Sequence, residues 1–279
     1  MYKCFFPERL IPHLGHPLVV SREQRLRHYL AAQHLFQWLQ QTMHFEISVV
    51  NRATERIANG KTDLEISGET RLTAYKIMVD ECYHSLYSAD VLEQLQKSSG
   101  IDALPYDFAP FLHGLDAIAE EAPQHRELVQ LLQVVVFETL ITSILYEIPG
   151  DESVITVVRD IVRDHAVDEG RHHAFFASFF TFLWGQLDAG TRHRMGLYLP
   201  QIIVRSLEPA TGSAHRALRA VGFTKAAARE IISDSYQRET VLGSIRKASA
   251  KTVRLFQDHG VLALPGVSEQ FADAGLLPG

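Results

Sequence analysis

Four glutamates stand where the helical periodicity of this chain calls for an apolar side chain, and that pattern narrows the folds open to it. On the first long helical segment the stripe Leu39, Met43, Val50, Ala53, Ile57 is completed in its spacing by Glu46. A second segment leads from Ala74, Ile77 and Met78 into Glu81 and His84, and continues through Leu92 and Leu95. A third runs Leu131, Val134, Val135, Glu138, Ile141, Leu145, and a fourth runs Val158, Ile161, His165, Glu169, His172, Phe176, Phe179. Glu55 differs, because it shares a face with Ser48, Asn51, Arg52 and Asn59 and reads as solvated. Burying four carboxylates without partners would cost several kcal/mol each or force them to take up protons. Cations remove that penalty.

Two of the four open an E-x-x-H pair, Glu81 with His84 and Glu169 with His172. One helical turn separates the members, so both can face one ion. With 14 histidines in the chain, roughly one such pair arises by chance, so position carries the argument. Each pair follows a lone glutamate on the preceding helix, and each is itself preceded by aspartate, Asp80 or Asp168. Metal-bound imidazoles donate their second N–H to a carboxylate, which gives each aspartate a histidine to orient, on the opposite helix. The bland alternative, surface ion pairs, does not place charge on apolar stripes four times. Oxygen and imidazole donors without thiolate suit iron, with manganese as the alternative, and bridging carboxylates suit two ions.

The segments carrying these residues are long and uniformly helical. The first is expected from Ser21 to about Ala58, ending at Asn59-Gly60, and the second over about 69–97. Residues 98–123 hold Gly, prolines and one short helical stretch and form a crossover. The third helix, about 124–147, stops at Pro149-Gly150, and Asp151 is a good N-cap for the fourth, about 152–187. Two hairpins joined by a long connection define an all-α, ferritin-like four-helix bundle. Further helices are expected near 191–206, 214–220, 224–236 and 238–258, followed by a low-charge tail containing Pro265 and Pro278. Residues 1–279 read as a single domain, with the metal-binding core at about 21–190 and accessory helices at about 191–279.

The chain is 46% hydrophobic and 22% charged, with a net charge of -6, which is ordinary globular composition. No Lys/Arg cluster forms a phosphate-binding face, so nucleic acid is not an expected partner. Cys4 and Cys82 are too few for a disulfide framework, which points to the reducing cytoplasm. The aromatic run Ala174 to Trp184 is about half a bilayer span, and no membrane association is expected.

His165 lies one turn before Glu169 on the same face, giving His-x3-Glu-x2-His, one nitrogen beyond the usual bundle set. The second motif copy, D-E-x-R-H, resembles one widespread in di-iron carboxylate oxygenases. Together Glu46, Glu81, His84, Glu138, His165, Glu169 and His172 resemble the seven-ligand set of the p-aminobenzoate N-oxygenase family, over roughly residues 20–190. The resemblance implies two iron ions, O2 as co-substrate, a peroxo-di-iron species, and oxidation of an amine nitrogen to hydroxylamine, nitroso or nitro products in antibiotic or other natural-product biosynthesis. It implies that Glu46, Glu81 and His84 serve mainly one iron and Glu138, His165, Glu169 and His172 mainly the other. A small-molecule amine is the expected substrate, with a separate ferredoxin or flavoprotein reductase as electron donor and a homodimer as the assembly. No anchor for an aminobenzoate carboxylate is apparent. Competing readings of the same core are another oxidase, hydroxylase or desaturase, and a ribonucleotide-reductase-like radical subunit with Tyr87 as the radical site. Iron storage is disfavoured by the roughly 90 residues beyond the bundle, more than a storage shell requires.

Other residues near the motifs read as supporting structure. Cys82 is expected to pack, His173 to lie beside the site or at an interface, and His44 to be ordinary. Tyr87 and Tyr146 are pocket or core tyrosines. Thr142 either bonds back to its helix or reaches toward the site. Gly170 inside a helix implies close packing, and the run Phe175, Phe176, Phe179, Phe180, Phe182 seals the bundle.

Overall fold

The computed structural model describes residues 3–140 and 142–277. Ile141, and the Thr142 side chain with it, lie outside the described residues. The chain is all-α: among the described residues the one extended pairing is a parallel bridge between Cys4 and Val154. The helices are α1 (Gln24–Phe45), α2 (Asn51–Asn59), α3 (Gly68–Ser99), α4 (Ala109–Glu120), α5 (Arg126–Leu140), α6 (Thr142–Glu147), α7 (Thr156–Gln186), α8 (Ala189–Leu207), α9 (Thr211–Ala220), α10 (Lys225–Ser235), α11 (Arg238–Asp258) and α12 (Val267–Asp273). The first bundle helix is α1 and α2 joined by a π-helical turn, Glu46–Val50. With α3, α5–α6 and α7 it forms a ferritin-like four-helix bundle.

Local chemistry fixes the ends. Gly60 (φ 64°) closes α2 and Gly100 (φ 67°) closes α3 in the left-handed conformation that glycine adopts without strain. Ser67 accepts a bond from the Thr70 amide to cap α3, and Asp188 does the same for the Thr191 amide at α8. Asp151 does not cap α7. It accepts instead from the Ser153 amide and hydroxyl, while Ser153 O and Ile155 N pair with the Cys4 backbone. That bridge holds the following residues extended, and the helix starts at Thr156. In the tail Val267–Asp273 is helical and buries Val267 and Phe271.

From Val129 to Leu140 every residue of α5 is buried, so this helix is apolar on all sides and lies at the centre of the molecule. Pro123–Glu147 is long and apolar enough to cross a membrane, but 93% of its window is buried within the protein. Buried apolar side chains form two clusters. On α3 the change of cluster falls between Ile77 and Val91, where Glu81 and His84 sit; on α7 it falls between Ala166 and Phe176, where Glu169 and His172 sit. The polar layer is thus sandwiched between two hydrophobic ones. Phe176, Phe179 and Phe180 belong to one of those clusters, while Phe182 is 37% exposed.

Candidate metal centre

All seven expected ligands converge, and none is more than 4% exposed. They fall into two sets, Glu46, His84, His165, Glu169 and Glu81, Glu138, Glu169, His172, in each of which one donor atom per residue lies within 4.8 Å of the others. Glu169 belongs to both. This partition differs from the one implied by resemblance, which put His165 with His172 and Glu81 with Glu46. The reason is helical geometry. His165 and His172 are two turns apart on α7, about 10 Å along its axis, so they flank Glu169 and fall in different donor sets. Glu81 likewise faces both ways, with Oε2 2.9 Å from His84 Nδ1 and Oε1 2.8 Å from His172 Nδ1. His165 Nε2 is 3.0 Å from Glu169 Oε1 and 3.9 Å from Glu46 Oε1.

The electrostatics of the bare side chains call for cations. Glu46 and Glu138 are pushed well above the usual carboxylate range, first by burial and then by repulsion from neighbouring carboxylates. Burial also opposes charge on Glu169, but hydrogen bonds from His165 and His172 outweigh it and hold that carboxyl low. The His172 imidazole, despite burial, is pushed up to about 12 by Glu169 and Glu81. The cluster therefore holds protons where metal ions would supply positive charge. Buried polar atoms left without partners include both carboxylate oxygens of Glu138, one oxygen each of Glu46 and Glu169, and Nδ1 of His165. Orphans of this kind are rare, and here they share one layer. A carboxylate-rich set with imidazole and no thiolate fits two iron ions.

The two aspartates brace the histidines crosswise. His172 Nε2 donates to Asp80 Oδ2 at 3.2 Å, and His84 Nε2 donates to Asp168 Oδ2 at 3.3 Å. Each bond fixes the proton on Nε2 and leaves the Nδ1 lone pair for a metal. Arg171 in turn donates to Asp168, which gives the arginine of D-E-x-R-H its role.

The π-helical turn begins at Glu46. It adds a residue to the turn and sets the angle at which this glutamate enters the layer, and such turns recur at functional sites. A stripe drawn at 3.6 residues per turn passes over it. Asn51, placed on the solvated face by that periodicity, is buried and donates to Met78 O. Glu55 is on the outside, paired with Lys61.

Tyr87 lies beside the centre, its ring 5.5 Å from that of His84 and 5.9 Å from that of His165, with a buried hydroxyl that has no partner. Tyr146 is 61% exposed. Cys82 is exposed rather than packed, His173 is half-buried, and His44 stacks on Tyr106 and Phe108 at the surface. Gly170 is exposed too, and a Cβ there would meet nothing within 4 Å, so close packing does not account for it.

A chamber of about 250 Å³ reaches the Glu46 and His165 side of the layer, walled by Trp38, Phe45, Phe137 and Leu140, with Gln41, Thr42 and Ser206 as polar groups. The other set does not line it. This chamber went unseen in the sequence because its wall includes Ser206, Leu207 and Ala248, from helices beyond the bundle.

Fold and site together define a ferritin-like protein whose buried carboxylates and imidazoles would hold a pair of metal ions. More particularly, the chain belongs to the p-aminobenzoate N-oxygenase AurF family, whose sequence profile matches residues 2–260. That family consists of di-iron oxidoreductases, and this chain is an enzyme of that kind. The match runs well beyond the roughly 20–190 on which the motifs lie, and takes in the accessory helices through α11. No curated protein matches the chain at a significant level.

Proposed function

We propose that the chain is an amine N-oxygenase. With two irons held by Glu46, Glu81, His84, Glu138, His165, Glu169 and His172, it uses O2 to oxidise the nitrogen of a small-molecule amine in natural-product biosynthesis. Bound iron supplies redox-active ions with coordination positions open to O2. The observation that carries the reading is His165. It adds a nitrogen to the usual bundle set, and it does so on the face that opens into the apolar chamber. There Trp38, Phe45 and Phe137 exclude water and hold the substrate body, while Gln41, Thr42 and Ser206 offer hydrogen bonds that orient the amine.

Electrons come from a separate ferredoxin or flavoprotein reductase, and the free thiols of Cys4 and Cys82 suit the cytoplasm. The test is turnover of the iron-loaded, chemically reduced chain with arylamines under ¹⁸O2, read by mass spectrometry. Labelled hydroxylamine, nitroso or nitro products are expected. Carbon hydroxylation or desaturation with the nitrogen untouched would contradict the proposal.

The homodimer reading is supported by the outward face of α3. Leu72, Tyr75, Val79, Tyr83 and Leu86 are 43–68% exposed at helical spacing, and monomers seldom leave a patch of that kind open. A twofold axis crossing the helix at Val79 would set Leu72 against Leu86 and Tyr75 against Tyr83 of the second copy, pairing like with like. Light scattering should give the mass of two chains, reduced to one by Val79→Asp; a monomeric parent chain would overturn the pairing.

A further inference from the structure

The chamber at the metal layer is backed by a second cavity. This outer one, about 360 Å³, lies among the leader, α10, α11 and the segment after α8. Leu207, the last residue of α8, and Ala248 of α11 line both spaces, so these two side chains stand between them. One aromatic ring with its amino group is enough to occupy the inner chamber. The outer cavity is larger and has no part in the chemistry described so far.

Its wall is largely apolar, with a small number of polar groups. Hydrogen-bonding side chains, among them His34, Gln37, Tyr236 and Ser244, line it without charge. Burial lowers the His34 imidazole to about 4, so it is neutral at pH 7. Burial also pushes the Tyr236 phenol up to about 12, and its hydroxyl is 2.9 Å from Nδ1 of the buried His13. Among the described residues no lysine or arginine lines either space. An anion entering would lose its water and gain no countercharge, whereas an amide, ester or hydroxyl would find partners.

We propose that the substrate is an extended, uncharged amine, its nitrogen in the inner chamber and its body passing Leu207 and Ala248 into the outer cavity. This rests on the N-oxygenase reading and sharpens it, because a free aminobenzoate would bring a carboxylate that the lining does not match.

Calorimetric titration of the iron-loaded, oxidised full-length chain tests the proposal without turnover. The ligands are 4-aminobenzoate, 4-aminobenzamide and N-benzyl-4-aminobenzamide. The benzyl amide should bind about tenfold tighter than the short amide, with the benzoate weakest. Ala248→Phe, which narrows the passage between the two spaces, should remove that advantage. Ala210→Phe narrows the outer cavity from its exposed rim and should act in the same way, which covers failure of the first variant to fold. Benzoate binding as tightly as the benzyl amide, or an unchanged advantage in both variants, would overturn the proposal. A chain that N-oxygenates but shows no such preference loses this inference alone; one that shows the preference but leaves nitrogen unoxidised loses the N-oxygenase reading.

Discussion

The two hairpins of the bundle supply the centre with the same parts, a lone glutamate and an E-x-x-H pair preceded by aspartate, yet they hold them differently. The first hairpin brings Glu46 in on a π-helical turn, and among the described residues its Asp80, 32% exposed, pairs with His172 and with no lysine or arginine. The second adds His165, and its Asp168 is 24% exposed and held by Arg171. Where they differ, they converge on one side: Glu46 and His165 line the chamber, while Glu138 and His172 face the interior. A duplicated frame is enough to bury two ions. Breaking its symmetry gives one of the two donor sets a face toward the chamber.

The largest effect should come from removing what the hairpins share. Glu169→Ala takes a ligand from both sets at once and should bring iron close to zero, whereas His165→Phe should leave most iron bound and reduce N-oxygenation by at least about tenfold, as expected for a group acting at the reaction rather than in assembly. Metal analysis beside turnover separates the two, and equal iron loss in both variants would erase the distinction between the halves.

The aspartate braces come next. Asp80→Asn and Asp168→Asn should each weaken iron binding by roughly 10–100-fold, with Asp168→Asn the more damaging because Arg171 holds that carboxylate in place. Competition with a chelator measures this, and a larger loss at Asp80 would reverse the comparison.

The smallest effect is at the motif's middle position, where the first hairpin has Cys82 and the second Gly170. Both are exposed. Gly170→Ala should stabilise the fold by about 0.5–1 kcal/mol with iron content unchanged, seen as a small rise in Tm; a drop in Tm would show that the glycine is required for packing after all.

Much of this was legible in the sequence because burying a carboxylate on an apolar stripe is costly enough to be diagnostic. Glu46, Glu81, Glu138 and Glu169 marked the layer, and the mirrored motifs marked the hairpins. The rest depended on information that periodicity does not carry. A π-helical turn changes the count of residues per turn, so Asn51 appeared on the wrong face. The division of ligands between ions depends on how far apart two residues lie along an axis, so His165 was assigned by analogy to the wrong partner set. Asp151 looked like a helix cap because its competing partner, the Ser153 turn tied to Cys4, is set by a contact 149 residues away. The chamber, built from α8 and α11 against the bundle, left no local signal at all.

The central claim is that these two hairpins enclose two iron ions at one buried layer. Anaerobic titration of the metal-free chain with ferrous iron, followed by metal analysis after removal of unbound ion, tests it most directly. The account predicts an end point of two irons per chain in the parent protein and near zero in Glu169→Ala. An end point of one or none in the parent chain, or the same end point in both proteins, would contradict it.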